Sequence, residues 1–458
     1  MGPTRAARRR ADSQCLEVLH ERHPLSLIND ILDLSKVEAG KMMLDLEPVD
    51  GRVQLTLRRL LIACVASLID APLAAQAPAP DASLVASARA IHGRVLTLDT
   101  HVDIEPAYFT AACNYTQRLT TQVNLPKMEA GGLDAAFMTV QVGQGPLSPE
   151  GYAGAYRQAI AKFDAVHRLT EQIAPKQAGL AFTPDEVTRI AQSGRTVVVI
   201  GIENGYPVGT DLARVREFYE RGARYMSLAH TGHNQLSDSH TGEATRDAPN
   251  DGISPLGRAV IAEMNRLGMM VDVSHLSKAS MLQAATLSKA PIIASHSSVR
   301  ALAEHNRNLD DEQLLAMKKN GGVVHIVAYA AYVKSGTHSG RAPVRNATGG
   351  RASAPCPVEA PAQRPLSVPG RPGVKELVDH IDYAVKLIGV DHVGIASDFD
   401  GGGGIEGWDS AADTFNVTLE LVRRGYSETD IAKLWGGNVL RVWREADEVA
   451  RRLQAEAK

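Results

Sequence analysis

Residues 95–103 read Val-Leu-Thr-Leu-Asp-Thr-His-Val-Asp, a short apolar, β-branched run that leads directly into acidic and imidazole side chains. A run of this kind predicts a β-strand over residues 95–99. Seven further runs of similar length and composition follow along the chain. They predict strands over residues 135–140, 196–202, 225–229, 269–274, 291–295, 322–327 and 392–397.

The segments between these strands carry helical patterns, for example residues 212–222, 255–267 and 310–320. Strands that alternate with helices indicate parallel βα units. Eight such units predict the α/β class and a closed (β/α)8 TIM-like barrel. A doubly wound open sheet is the alternative, but no glycine-rich phosphate-binding motif follows any of the strands.

Six of the eight predicted strands end in a histidine or a carboxylate. The residues at these ends are His101, Asp103, Glu203, His230, His275, His296 and Asp398. In a parallel barrel, these strand ends share the face where the loops build the active site. Buried imidazoles and carboxylates are costly unless they share a purpose, and binding of divalent metal ions is such a purpose.

The residues His101 and Asp103 are two apart, which places both side chains on the same side of an extended chain. Three histidines and one aspartate, with Glu203 between them, suffice for two metal ions bridged by a carboxylate. A ligand set without thiolates suits zinc at a catalytic site. Two zinc ions can lower the pKa of a shared water, and the resulting hydroxide would attack a carbonyl.

Three further residues are candidates for the remaining steps of such a reaction. Asp398 is expected to carry the proton to the leaving amine, and His230 to polarise the carbonyl oxygen. Arg307 is expected to bind a substrate carboxylate through its fork of donors, with a surface salt bridge as the alternative.

The chain resembles the membrane (renal) dipeptidase family, zinc peptidases of the amidohydrolase-like barrel type, over residues 92–334 and 374–448. The resemblance rests on many short motifs in the same order. They are 98–103 (LDTHVD), 124–134 (NLPKMEAGGLD), 201–204 (GIEN), 227–231 (SLAHT), 271–275 (VDVSH), 294–297 (ASHS), 306–308 (NRN), 391–401 (DHVGIASDFDG) and 435–438 (WGGN).

The resemblance implies a residue role for each candidate. His101 and Asp103 would bind one zinc ion, and His275 and His296 the other. Glu203 would bridge the two zinc ions. For the other three candidates, the resemblance implies the roles already expected from the residues. Asp398 would be the proton shuttle, His230 would contact the scissile carbonyl, and Arg307 would bind the substrate carboxylate.

The resemblance also implies an activity, which is hydrolysis of the peptide bond of dipeptides, often with a D-residue at the C-terminal position. The expected partner is therefore a small peptide, and a homodimer is the expected assembly. With 49 basic and 52 acidic residues the net charge is −3, which gives no reason to expect a nucleic-acid partner. The alternatives are another amidohydrolase acting on a lactone or amide, and a non-enzymatic sensor or binding protein.

The first 77 residues differ from the rest of the chain. Residues 25–50 resemble a fragment of a histidine-kinase dimerisation helix, so residues 1–52 are interpreted as a mis-called start or a fusion scar. Residues 53–77 have a basic, an apolar and a small-x-small part, as bacterial export signals do. Residues 78–458 would then be a secreted or periplasmic barrel without a transmembrane span. Lipid anchoring at Cys64 is the alternative.

Residues 336–373 are rich in Gly, Pro, Ala, Ser and Arg and have no apolar period. They predict an irregular insert, which could be a divergent loop or the product of a local frameshift. Two of the four cysteines, Cys113 and Cys356, could pair after export, although the sequence alone does not place them close together.

Overall fold

The computed structural model describes residues 81–337, 356–359 and 370–457. The extension predicted over residues 1–52 and the export signal predicted over 53–77 lie outside these ranges, as does most of the insert at 336–373. The frameshift interpretation of the insert therefore stays a prediction.

The strands of the described chain form one parallel sheet. They are β1 Leu98–Asp103, β2 Ala135–Gln141, β3 Ala178–Leu180, β4 Thr196–Glu203, β5 Ala223–Ser227, β6 Met270–Asp272, β7 Ile293–Ser297, β8 Val323–Val327 and β9 Val393–Ala396. Their spatial order is β1-β2-β4-β5-β6-β7-β8-β9, and β3 pairs only with β4, outside that path.

The sheet closes into a barrel between its first and last strands. Val102 forms a parallel bridge with Phe399, just beyond β9, and the Asp103 amide donates to the Phe399 carbonyl at 2.8 Å. The structure confirms the predicted (β/α)8 TIM-like barrel and excludes the open sheet. All eight predicted strands are present. The sequence prediction missed β3, a short strand, and ended β1 too early, because the strand continues through the polar residues Thr100, His101 and Asp103.

Helices surround the barrel. They are α1 Ala82–His92, α2 Leu125–Gly131, α3 Pro149–Arg168, α4 Pro184–Gln192, α5 Ala213–Glu220, α6 Thr241–Thr245, α7 Pro255–Leu267, α8 Lys278–Leu287, α9 Asp311–Asn320, α10 Ala330–Val333, α11 Val374–Ile388, α12 Phe415–Arg423, α13 Glu428–Ala432 and α14 Asn438–Glu456. No helix within the described ranges has the length and apolar character needed to cross a membrane.

Short-range signals fix where several helices begin. The side chains of Ser148 and Ser254 accept from backbone amides in the first turns of α3 and α7, and each serine is followed by a proline. Asp310 and Gln313 form a reciprocal capping box at the start of α9. Such caps satisfy amides that have no partner within the helix, each contributing about 1 kcal/mol.

The lower half of the barrel interior is apolar and is closed by α14. Leu98, Phe137 and Val199 pack in one cluster with Trp443 of α14, and all four are fully buried. The rings of Phe137 and Trp443 lie 6.2 Å apart. Because apolar side chains and α14 fill this end, the polar side chains lie at the opposite end of the barrel, at the carboxyl ends of the strands.

A disulfide joins Cys113 to Cys356, which lie 243 positions apart in the sequence. It links residues 356–359, an internal described part of the predicted insert, to the long connection between β1 and α2. An antiparallel bridge between Leu119 and Val358 strengthens this attachment.

Candidate metal centre and active site

The structure brings the predicted strand-end residues together. His101 and Asp103 belong to β1, Glu203 is the last residue of β4, and His296 lies in β7. The three others follow their strands by two or three positions. They are His230 after β5, His275 after β6 and Asp398 after β9.

Glu203 lies at the centre of the cluster. Its Oε1 is 2.8 Å from His275 Nε2 and 3.2 Å from His296 Nε2. The same oxygen is 3.7 Å from Nε2 of both His101 and His230. The position of this carboxylate between histidines from both sides of the cluster suits a bridging ligand.

The cluster contains three overlapping groups of ligand atoms that could hold metal ions. Within each group the atoms lie within 4.8 Å of one another. The groups are His101, Asp103 and Glu203; Glu203, His275 and His296; and His101, His296 and Asp398. His230 belongs to none of them, although its ring lies 4.2 Å from that of His275.

Two buried ligand atoms have no hydrogen-bond partner among the described residues, His101 Nε2 and Asp103 Oδ1. In addition, His275 Nε2 and His296 Nε2 lie 2.9 Å apart. Unpartnered buried polar atoms are rare because each costs free energy. Cations placed among these atoms would satisfy them, so the residues present fit divalent metal ions.

The buried tyrosine Tyr225 orients the ring of His101. Its hydroxyl donates to the Thr100 carbonyl at 3.1 Å and lies 3.1 Å from His101 Nδ1. The hydroxyl therefore accepts from Nδ1, which leaves Nε2 unprotonated and available as a ligand. Space for the tyrosine comes from Gly201, where a Cβ would lie 2.1 Å from the Tyr225 ring.

A second chain of hydrogen bonds orients His296. Ser295 Oγ donates to Asp272 Oδ2 at 2.6 Å and lies 2.8 Å from His296 Nδ1. This again directs an unprotonated Nε2 towards Glu203. Sequence reasoning missed Tyr225, Asp272 and Ser295. A signal for two of them exists, because Asp272 lies in the motif 271–275 and Ser295 directly precedes His296.

Burial sets the protonation of the cluster. Desolvation lowers the pKa of His101 to about 3 and that of His296 to about 4, so both rings are neutral at pH 7. Burial and the charge of Glu203 raise the pKa of Asp103 to about 7. Burial, together with the carboxylates of Asp103 and Glu203, raises the pKa of Asp398 well above its usual range.

Arg307 is buried beside the cluster rather than exposed on the surface. Its guanidinium donates to the His296 carbonyl at 3.0 Å and to Ser297 Oγ at 3.2 Å. Its Nε has no hydrogen-bond partner among the described residues, and the group lies over the ring of Tyr332. A buried cation with an unused donor is suited to an anionic group of a ligand.

Positive φ angles accumulate at the site. Asn204, His275 and Asp398 have φ angles of 80°, 70° and 57°. Non-glycine residues adopt this region rarely and at a cost, and such strain is concentrated at functional sites. His325, in contrast, is not at the carboxyl end of its strand. It lies in the middle of β8, is buried, and contacts the Ala294 carbonyl through Nδ1 at 2.9 Å.

Comparisons with known proteins agree with this geometry. Residues 85–457 match the family model described as membrane dipeptidase (peptidase family M19). The dipeptidase aclJ of Aspergillus oryzae is 33% identical over 346 residues, which cover 74% of each chain. The dipeptidase tcpJ of Claviceps purpurea is 32% identical over 341 residues, covering 73% of this chain and 72% of the relative.

Solved structures of the same type also align. The probable dipeptidase PvdM of Pseudomonas aeruginosa aligns with a TM-score of 0.70 and 32% identity, over 80% of this chain and 99% of that one. A metallopeptidase of Rhodobacter sphaeroides, solved with a phosphinate mimic of the dipeptide L-Ala-D-Ala, aligns with a TM-score of 0.62. It shares 21% identity over 77% of this chain and 99% of that one, and so supports the fold.

The barrel and its cluster of imidazoles and carboxylates define a metal-dependent hydrolase of the α/β-barrel class. The family match then makes the assignment specific. The chain belongs to the membrane dipeptidase family, peptidase family M19, and is a metallo-dipeptidase.

Proposed function

We propose that this dipeptidase binds two zinc ions and hydrolyses the peptide bond of dipeptides, including those with a D-residue at the C-terminal position. His101 and Asp103 would hold one ion, His275 and His296 the other, with Glu203 between them. The observation that carries the proposal is the set of overlapping ligand groups, two of which share Glu203.

When bound, zinc ions supply Lewis acidity and lower the pKa of water towards neutrality. The chain's own residues would do the rest. Arg307 binds the C-terminal carboxylate of the substrate, and His230, outside the ligand groups, donates to the oxygen of the scissile carbonyl. Asp398 passes a proton to the leaving amine, a role supported by a carboxyl pKa that burial raises.

We also propose that the protein is exported, with residues 53–77 as the signal, and that it forms a homodimer. The disulfide between Cys113 and Cys356 supports the first part, because such bonds persist mainly in oxidising compartments. Mass spectrometry of the natively expressed protein tests it. A mature chain that begins near residue 78 is expected, and peptides from residues 11–50 would contradict it. Sedimentation of the same protein measures the assembly.

The test of the activity is release of amino acids from a panel of L,L- and L,D-dipeptides by residues 78–458 supplied with zinc. Glu203→Gln is the inactive variant, and Glu129→Gln, at an exposed position in α2, is its matched control. Turnover that needs zinc and is lost only in Glu203→Gln is expected. A folded, zinc-loaded protein without turnover on any dipeptide would move the substrate to another amide or a lactone.

A further inference from the structure

The connection after β5 carries a histidine that none of the roles above uses. This residue, His240, is partly exposed. Its backbone amide donates to the His275 carbonyl at 2.8 Å, and its ring lies 5.5 Å from that of His275. His240 therefore lies against a proposed metal ligand, at the carboxyl end of the barrel.

The hydrogen bonds of His240 determine which of its ring nitrogens carries the proton. Nδ1 lies 3.1 Å from the His275 carbonyl oxygen and 3.3 Å from Ser239 Oγ. A carbonyl oxygen can only accept, so Nδ1 carries the proton and Nε2 carries a lone pair. The Ser239 hydroxyl is already used, because it donates to the His230 carbonyl. His240 Nε2 has no hydrogen-bond partner among the described residues and is therefore a free acceptor.

The segment that carries His240 is held in place on two sides. Glu243, three positions further along, accepts from the Lys278 amide at 2.9 Å, in the connection after β6. The other oxygen of the same carboxylate accepts from the Arg300 guanidinium at 3.1 Å, in the connection after β7. Because these contacts exist before any ligand arrives, little ordering is needed for His240 to bind one.

The nearest cationic side chain to act on this histidine is the one proposed to bind the substrate carboxylate. Burial, and after it the charge of Arg307, lowers the pKa of His240 to about 3, so the guanidinium lies close enough to act on this ring. Arg307 donates to the His296 carbonyl in β7, the neighbour of β6, which His275 follows. The free acceptor and the guanidinium therefore lie side by side at the rim of the site.

An acceptor next to a guanidinium selects among ligand groups. The carboxylate of a substrate carries only acceptors, so it binds Arg307 rather than His240 Nε2. A cationic side chain would be repelled by Arg307. A neutral hydroxyl or primary amide can donate to Nε2 without that repulsion. In a dipeptide, the side chain closest to the carboxylate is that of the C-terminal residue.

We propose that His240 Nε2 accepts a hydrogen bond from the side chain of the substrate's C-terminal residue and so favours dipeptides that end in serine, threonine, asparagine or glutamine. This inference rests on the proposed function, in which Arg307 binds the carboxylate of that residue. The carboxylate and the scissile amide fix the residue at both ends, so inversion at its Cα moves the side chain to the other side. The preference is therefore expected in one of the two epimeric series only.

The test compares threonine with valine, which have nearly the same shape, as the C-terminal residue after L-Ala. The zinc-loaded protein is assayed in the L and the D series. In one series kcat/KM for the threonine dipeptide should exceed that for the valine dipeptide by about 5- to 10-fold, mainly through KM, the usual worth of a neutral hydrogen bond.

Three variants assign that preference to a residue. His240→Phe keeps a planar ring without Nε2 and should bring the threonine-to-valine ratio to about one. His240→Gln can place an amide oxygen near the position of Nε2 and should restore part of the ratio. The matched control is His392→Phe, which also loses a contact of Nδ1 with a carbonyl, that of Gly322, but lies before β9 at the opposite end of the barrel. It should leave the ratio unchanged.

A ratio near one in both series of the unmodified protein would overturn the assignment and leave the dipeptidase function intact. A threonine preference that survives in His240→Phe would also overturn it. Zinc content is measured in each variant. A loss of zinc with equal losses for both dipeptides would mean that His240 positions His275 instead, which contradicts the proposal.

A second readout does not need turnover. Calorimetric binding of the same dipeptides to the zinc-loaded Asp398→Asn variant should give the same ratio in Kd, and adding His240→Phe should remove it. If no dipeptide is hydrolysed by the zinc-loaded protein, the proposed function fails. The ratio of the two Kd values still decides the role of His240, and equal binding of the threonine and valine dipeptides in both series contradicts it.

Discussion

The two ends of the barrel interior are built from the same strands but differ in the polarity of their buried side chains. At the α14 end, Phe137 and Val199 are fully buried among other apolar side chains. At the other end, His101 and Glu203 are also buried but are polar, and His101 Nε2 has no hydrogen-bond partner among the described residues. The apolar end therefore contributes to the free energy of unfolding. The polar end lowers it, because its buried polar groups are arranged for catalysis.

The largest expected effect is a loss of kcat without a loss of stability, at the polar end of the barrel. Asp398→Asn should lower kcat for a dipeptide by about 10²- to 10⁴-fold, the usual worth of a positioned acid or base. The melting temperature of the metal-free protein should not fall, because the change removes a buried ionisable group. Steady-state kinetics and thermal melts measure the two effects.

The matched control for that variant is Asp185→Asn, whose side chain is 92% exposed. It should change neither quantity. A melting temperature that falls by several degrees in Asp398→Asn would show that this carboxyl supports the fold, and the contrast between the two ends would fail.

The opposite result is expected at the apolar end. Trp443→Ala should cost about 3–5 kcal/mol of unfolding free energy, because it leaves a cavity beside Phe137 at the closed end of the barrel. The kcat of the molecules that remain folded should stay within about twofold of the original value. Denaturant titration and active-site-normalised kinetics test this, and a large loss of kcat would show that the two ends are coupled.

The barrel and the strand-end residues could be predicted from the sequence because both depend on local patterns. His101 and Asp103 are two positions apart, and Glu203 directly follows an apolar run. The sequence could not predict the contact of Tyr225 with His101, which lie 124 positions apart, or that of Ser295 with Asp272, which lie 23 positions apart. These contacts exist only once the barrel has closed, and no spacing in the chain encodes them.

A smaller effect is expected from those supporting residues. Tyr225→Phe removes the acceptor for His101 Nδ1 and keeps the ring, so the apolar packing should survive. Zinc affinity, measured by competition with a chelator, should fall about 10- to 100-fold. Tyr383→Phe, which removes an exposed hydroxyl bonded to Asp311, is the control and should have no effect. Unchanged affinity in Tyr225→Phe would mean that Tyr225 does not position His101.

The smallest effect is a dependence of stability on pH that metal should reverse. In the metal-free protein the pKa of Asp103 is raised to about 7, so the folded state holds this proton more tightly than the unfolded chain. Histidines with lowered pKa values, such as His101, add stability as pH rises through the usual imidazole pKa of about 6.5, and a variant that keeps these histidines shares that gain. The difference in unfolding free energy between this protein and Asp103→Asn should therefore fall by about 1 kcal/mol between pH 6.5 and 8.

Excess zinc should turn this fall into a rise, because protons compete with the metal for its ligands. Denaturant titrations across that pH range, with chelator and with zinc, measure both trends. Asp103→Asn lacks the raised carboxyl but keeps the histidines, so its metal-free curve is the reference for the difference. If the metal-free curves of the two proteins stay parallel across this range, the burial of Asp103 does not contribute to the pH dependence of stability.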